Sequence, residues 1–185
     1  MLEPERLANP DEPASLLLHK PAGFTGNPAS LARPASRWEG DSTRVVMLPR
    51  HLTRLTQVMP LEPAASGLVV LTQDGRLLRR MREDATRIEC EFIVDTTGEI
   101  EPYGLPRLMH GLAYEGRNLP PCKVSWQNET RLRFAMKDAR DGQLAYMCSQ
   151  VGLQVLAIRR IRIGRVSMGK MPVNTWRYLP ANEPL

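Results

Sequence analysis

The segment LEPAASGLVVLTQDG, residues 61–75, decides the fold, because it joins an acidic residue to a turn of small residues and an apolar strand. The run GLVVLT at 67–72 is rich in branched apolar side chains and predicts a strand covered on both faces. Asp74 and Gly75 then end the strand. Glu62 precedes the turn, where small side chains let another molecule approach the backbone closely. The segment therefore predicts a buried central strand with a carboxyl group at its start.

Helical and alternating patterns surround this strand. Leu77, Leu78 and Met81 recur at helical spacing among arginines and predict a short basic helix. Strict alternation predicts half-buried strands at 89–95 and 131–137, and further strands are expected at 16–19, 45–48, 122–126 and 153–165. Helices are expected at 97–112, broken by a proline, and at 142–152, closed by a glycine. The basic face of the 131–137 strand is either solvated or in contact with RNA.

Composition bounds the class of protein. With 185 residues the chain suits one domain at 15–185, built of two intimately packed lobes, after a loose arm at 1–14. The sequence has no apolar run near the eighteen or so residues that span a bilayer and no secretory start, so we expect a cytoplasmic location. The sequence does not show the oligomeric state, for which a monomer is our expectation. Cys90, Cys122 and Cys148 are widely separated, which indicates buried thiols rather than a disulfide or zinc site. A net charge of +5 favours a polyanionic partner.

The segment at 61–75 resembles the GRLDxxTSGLLLLTxDG signature of the RNA pseudouridine synthases, specifically the RsuA class that modifies ribosomal RNA. Four further segments resemble the family's motifs in the same order: LLLHKPAGFTG at 16–26, ECEFIVD at 89–95, IRRIRIG at 158–164 and WRYL at 176–179. The resemblance covers residues 16–179. It implies an α+β fold, with a bent, mostly antiparallel sheet flanked by helices and a cleft across its middle.

The resemblance also implies a catalytic site. Glu62 stands where the family has its catalytic aspartate, and Phe92 stands where a tyrosine packs on the target base. Arg160 corresponds to the arginine that bonds the catalytic carboxylate. A plain structural ion pair between Arg160 and Glu62 is the competing interpretation.

Contacts to RNA are implied for a second set of residues, namely Lys20, Ser66, Arg162 and Arg165. Lys20 is alternatively a solvated charge at the end of a strand. A period of two places Arg160 and Arg162 on one face of their strand, together with Ile158. The family's chemistry needs no metal and no organic cofactor, and we expect none here.

Two hypotheses about function follow: a working ribosomal RNA isomerase that tolerates glutamate, or a non-catalytic relative that binds RNA or a ribosomal precursor through the same cleft. The sequence departs from the family's catalytic and RNA-contacting motifs at Pro60, Glu62, Ala65, Cys90, Phe92, Ala145 and Tyr146. These departures favour the second hypothesis. A protein-interaction domain unrelated to RNA has the least support.

Overall fold

The computed structural model describes residues 12–185, so most of the arm predicted at 1–14 lies outside the described residues. The helices are α1 (Gly75–Asp84), α2 (Gly104–Met109) and α3 (Gln143–Ser149). The strands are β1 (Ser15–Lys20), β2 (Thr56–Val58), β3 (Ser66–Thr72), β4 (Glu89–Thr97), β5 (Ala113–Tyr114), β6 (Arg117–Asn118), β7 (Lys123–Trp126), β8 (Arg131–Lys137), β9 (Gln154–Ile163), β10 (Val166–Ser167) and β11 (Trp176–Tyr178). Short 3₁₀ turns occupy Pro28–Leu31, Pro34–Ser36, Pro49–Leu52 and Ala85–Arg87.

One mixed sheet dominates the fold. Seven strands follow the order β11-β1-β3-β9-β4-β8-β7, with β2 paired to β3 and β10 paired to β9. The neighbouring pairs are antiparallel except β3 and β9, which run parallel. A small hairpin of β5 and β6 stands apart from this sheet. The predicted α+β fold with a mostly antiparallel sheet is confirmed.

The neighbouring strands β1 and β3 are apolar on both faces, as the sequence predicts for β3 at 67–72. Leu17 and Val70 pack into the larger hydrophobic cluster, whereas Leu16 and Val69 pack into a second cluster around Trp176. Because successive side chains of a strand point to opposite faces, these two clusters lie on opposite sides of the same strands. This arrangement explains why the segment at 66–72 reads as continuously apolar rather than alternating.

Two predicted elements were wrong. No strand forms at 45–48, although Val45 and Met47 pack against the smaller cluster without pairing to the sheet. The helix expected over 97–112 is reduced to α2, because Thr97 still pairs with Gln154 as part of β4. Pro106 does not break α2, since it lies in the first turn, where backbone N–H groups have no partner within the helix.

A β-bulge in β9 places Arg160 and Arg162 on different faces of the sheet. Phe92 pairs with Arg160 and Glu91 pairs with Arg162, so Ile161 has no partner on β4. The extra residue shifts the alternation, and Arg160 and Arg162 therefore lie on opposite faces of the sheet. The prediction that both arginines share a face was wrong for this reason.

The cysteines are neutral thiols. Cys90 and Cys148 are buried and Cys122 is half-buried. Desolvation raises the pKa of Cys122 to about 11 and that of Cys148 to about 12. Among residues 12–185, no helix has the length and apolar character needed to cross a membrane.

Candidate functional site

A pocket of about 320 Å³ opens beside the middle of the sheet. Its floor comes from neighbouring strands, with Cys90 and Phe92 on β4, Met136 on β8 and Arg160 on β9. The remaining lining residues come from three connecting segments: Met59, Pro60, Ala85, Ile88, Asp138, Ala139, Arg140 and Asp141. The pocket therefore combines an apolar floor with a charged wall at 138–141.

Arg160 is buried in this floor, with 4% of its surface exposed. Its Nε donates to the carbonyl of Leu68 at 3.0 Å, and its terminal nitrogen donates to the carbonyls of Leu68 and Met59 at 2.7 and 2.6 Å. Burial lowers the pKa of the guanidinium, while the three hydrogen bonds occupy Nε and one of its two terminal nitrogens. Arg160 thus ties β9 to β3 and to the segment that leads to the predicted catalytic acid.

The predicted ion pair between Arg160 and Glu62 does not form. No ion pair within 4.0 Å joins the two residues, because the arginine's donors are directed at backbone carbonyls. Glu62 Oε2 instead accepts a hydrogen bond of 2.7 Å from the backbone N–H of Gly142. Phe92 and Arg160 are brought together in the pocket, whereas Glu62 is anchored just beyond the wall at 138–141.

A tyrosine braces the residues that hold Glu62. The Tyr114 hydroxyl donates to the carbonyl of Asp141 at 2.8 Å. Gly142 has a positive φ of 78°, and a Cβ at this position would lie 2.8 Å from the Tyr114 hydroxyl oxygen. Glycine is therefore required both by the backbone conformation and by the close approach of the tyrosine. The brace fixes the direction in which the Gly142 N–H points.

Phe92 supplies a flat apolar surface to the pocket. It is buried and pairs across the sheet with Arg160 on one side and Phe134 on the other. A phenyl ring can stack on a nucleobase, but it has no hydroxyl with which to transfer a proton. The pocket can therefore hold a base, and Arg160 contributes positive charge beside it.

Lys20 is not available to RNA, which contradicts its predicted role as a phosphate contact. The residue is 1% exposed, and its Nζ donates to the carbonyls of Pro21 and Pro63 at 2.9 and 3.1 Å. Desolvation lowers the pKa of Lys20, while the nearby charge of Glu62 acts to raise it. Lys20 thus ties the turn after β1 to the turn before β3.

Arg162 is largely neutralised by carboxylates. It pairs with Glu89 at 2.6 Å and with Glu91 at 3.3 Å, and Glu91 also binds Arg133. Desolvation acts to raise the pKa of Glu91, but these two guanidinium groups hold it below its usual range. Arg162 lies on the face opposite the pocket, where its ion pairs stabilise the sheet.

The other two predicted RNA contacts differ in their surroundings. Ser66 is half-buried and its hydroxyl donates at 3.5 Å to the carbonyl of Ile158. Arg165 is exposed, and no side-chain partner is seen for it among residues 12–185. These two predictions remain predictions.

Several pocket residues carry no signal in the sequence. Asp138 pairs with Arg117 at 2.7 Å, and both it and Asp141 bring carboxylates to the wall. Positive φ values at Met59 and Asp138 mark turns that no sequence pattern indicates for these residue types. The sequence signal for this part of the site is Gly142, which begins a helix pattern directly after the two charged residues Arg140 and Asp141.

The fold of the described residues matches that of a solved protein structure. A crystal structure of a pseudouridylate synthase superimposes with a TM-score of 0.74 at 19% identity, covering 96% of this chain and 74% of that chain. The described residues therefore adopt the pseudouridine synthase fold, as the resemblance implied.

Sequence comparison agrees with the structural match. The dual-specificity RNA pseudouridine synthase RluF of Salmonella typhi is 25% identical over 181 residues, which is 96% of this chain and 60% of the relative. The ribosomal large subunit pseudouridine synthase B of Yersinia pestis is 26% identical over 147 residues, covering 76% of this chain and 46% of the relative. No family model matches.

The chain is therefore similar to RNA pseudouridine synthases in sequence and to a pseudouridylate synthase in fold. It spans about 60% of the length of the RluF relative it matches and less than half of the synthase B relative.

Proposed function

We propose that the protein binds uridine-containing RNA, ribosomal RNA in particular, through the pocket at Phe92 and Arg160, and that its capacity to convert uridine to pseudouridine is weak or lost. The observation that carries this proposal is the meeting of an aromatic ring and a buried cation in one pocket of a pseudouridine synthase fold. The relatives are named as RNA-modifying enzymes, which supports RNA as the partner.

The pocket fits an everted nucleotide in size and chemistry. Its volume of about 320 Å³ lies within the range of about 300–1,000 Å³ that is typical of pockets for small organic ligands. A pyrimidine turned out of an RNA helix would stack on Phe92, and its attached phosphates carry the charge that a basic protein attracts. We place this function in the cytoplasm and expect a monomer.

Three features argue for weak catalysis. Glu62 is one methylene longer than aspartate, and a misplacement of about 1 Å can cost on the order of 100-fold in rate. Arg160 donates to two backbone carbonyls and not to the Glu62 carboxylate. Phe92 lacks a group for proton transfer, which contributes on the order of 100-fold or more where it operates.

A working isomerase is the second candidate, and one observation favours it. The hydrogen bond of 2.7 Å from Gly142 holds the Glu62 carboxylate in one orientation next to the pocket wall. A fixed carboxylate is what nucleophilic or base catalysis requires. In that case Glu62 would reach the ribose of a bound nucleotide directly, without help from Arg160.

The test has two measurements on the same protein preparation. Filter binding to ribosomal RNA over a range of salt concentrations measures affinity and its electrostatic part. Chemical mapping of pseudouridine after incubation measures turnover, with Glu62→Ala as the catalytic control. We expect salt-dependent binding and no more pseudouridine than the control produces.

Two results would overturn the proposal in different ways. Pseudouridine at a defined uridine in amounts well above the Glu62→Ala control would establish the working isomerase. Absence of RNA binding, or binding without salt dependence, would remove RNA as the partner.

A further inference from the structure

Helix α1 presents an arginine-rich surface to solvent. Its inner side carries Leu77, Leu78 and Met81, of which Met81 is buried in the larger cluster. The outer side carries Arg76, Arg79 and Arg80, spaced three and four residues apart and therefore neighbours on the helix surface. Exposed arginines also lie at positions 82 and 87. We define these five arginines as the α1 arginine surface.

The α1 arginine surface is not neutralised by the rest of the protein. None of its five side chains forms a hydrogen bond or ion pair with a residue in the range 12–185. By contrast, Arg131 and Arg133 on β8 are paired with Asp95 and Glu91. Residues 75–87 contain five arginines and two carboxylates, whereas the whole chain has a net charge of +5. Much of the unpaired positive charge is therefore concentrated on one short segment.

This surface leads directly to the pocket. The chain that leaves α1 places Ala85 and then Ile88 in the pocket lining. Helix α1 has ten residues and is thus about 15 Å long. The other helix next to the pocket wall, α3, has no charged residue. Apart from Arg140 and Arg160 in the lining itself, positive charge next to this pocket is therefore supplied from the α1 side.

We propose that the α1 arginine surface binds the phosphates of the RNA strand whose nucleotide enters the pocket. This inference rests on the proposed function and adds the surface that holds the partner. Arginine suits the role because its planar guanidinium donates two parallel hydrogen bonds to a phosphate. The contacts are to the backbone, so they raise affinity for any sequence without selecting the uridine.

The test removes charge from the surface and keeps the helix. A triple variant, Arg76→Gln with Arg79→Gln and Arg80→Gln, retains good helix formers at exposed positions. Filter binding of a labelled, uridine-containing single-stranded RNA is measured at several KCl concentrations. Because three phosphate-binding side chains are removed, the slope of log affinity against log salt should become shallower by about 2, and affinity at low salt should fall by about tenfold or more.

A matched control removes the same charge elsewhere. The variant Arg33→Gln with Lys123→Gln and Lys170→Gln changes three exposed residues on other elements. It should keep a slope close to that of the unmodified protein. A second α1 variant with lysine in place of all three arginines should also keep the slope, which distinguishes lost charge from a disturbed helix.

Each outcome decides a separate claim. If the unmodified protein binds RNA with strong salt dependence and the α1 glutamine variant has the same slope, the α1 surface is not the phosphate contact and the proposed function stands. If both glutamine variants change the slope equally, the effect is general charge and the inference fails. If the unmodified protein does not bind the RNA, the proposed function fails and the inference with it.

Discussion

Strands β3 and β9 are in close contact at Gly67, and from this contact we predict how much Gly67→Ala lowers the free energy of unfolding. Gly67 has a φ of +121°, and a Cβ there would lie 2.3 Å from the Arg160 carbonyl oxygen and 2.5 Å from its nitrogen. Both neighbours are backbone atoms of a paired strand, so neither can move aside cheaply. Gly67→Ala should therefore combine backbone strain of about 1–3 kcal/mol with overpacking of about 1–3 kcal/mol.

Two further glycines separate these contributions. Gly116 also has a positive φ, of 76°, but nothing lies within 4 Å of a Cβ placed there, so Gly116→Ala measures strain alone. Gly75 begins α1 with open space around it and an ordinary φ, and Gly75→Ala should be neutral or stabilising by up to about 1 kcal/mol. Urea unfolding at equilibrium gives the free energy of unfolding for each variant.

The expected order is Gly75→Ala most stable, Gly116→Ala lower by about 1–2 kcal/mol, and Gly67→Ala lower again by about 2 kcal/mol or more. The same displacement would move Arg160 in the pocket floor, so Gly67→Ala should also weaken RNA binding. A free energy of unfolding for Gly67→Ala within about 0.5 kcal/mol of Gly116→Ala would refute the reasoning, because the backbone contact would then cost nothing.

Three other predictions follow from the hydrogen bonds described above. Arg160→Leu should lower the free energy of unfolding by several kcal/mol in urea titrations, because two buried carbonyls lose their donor at about 1–3 kcal/mol each; a near-neutral effect would contradict this. Desolvation lowers the pKa of His19 from 6.5, so below about pH 6.5 the unfolded chain binds the extra proton and stability should fall as pH decreases. This loss, followed by urea midpoints between about pH 7.5 and 5.5, should shrink in His19→Gln, and an unchanged pH dependence would exclude His19 as its source. Tyr114→Phe removes the hydroxyl that donates to the Asp141 carbonyl next to Gly142. Losing this hydrogen bond, about 1 kcal/mol, should increase the rate of amide hydrogen exchange at Gly142 by about fivefold. Tyr103→Phe, at an exposed tyrosine, is the control.

The strands of the fold were predictable where burial leaves a clear pattern. Alternation at 89–95 and 131–137 placed β4 and β8, and the apolar run at 67–72 placed β3. The segment at 45–48 is similarly apolar but is not paired with a strand, and its own residues do not show whether a partner strand lies beside it. Element type was therefore predicted better than pairing.

The residues of the candidate pocket were predicted only in part, and their contacts were not predicted. Phe92 and Arg160 meet in the pocket, although no residue pattern shows that the arginine donates to the carbonyls of Met59 and Leu68. One of these carbonyls belongs to Met59, whose positive φ of 50° is a conformation that methionine seldom adopts. The prediction that Lys20 contacts a phosphate was wrong for a related reason. A lysine between a strand and a proline is expected to be exposed, and its sequence neighbours do not show that its Nζ donates to Pro63 in the turn before β3.

Ile161, the extra residue of the β-bulge in β9, separates two parts of the strand whose side chains face different sides of the sheet. Before Ile161 the inward side chain is Arg160, which lines the pocket, and after it Arg162 faces the carboxylates on the far side of the sheet. Substitutions in the acidic and basic cluster on that far side can therefore accumulate without disturbing the pocket. A single extra residue thus lets one strand line the pocket and stabilise the scaffold as separately variable properties.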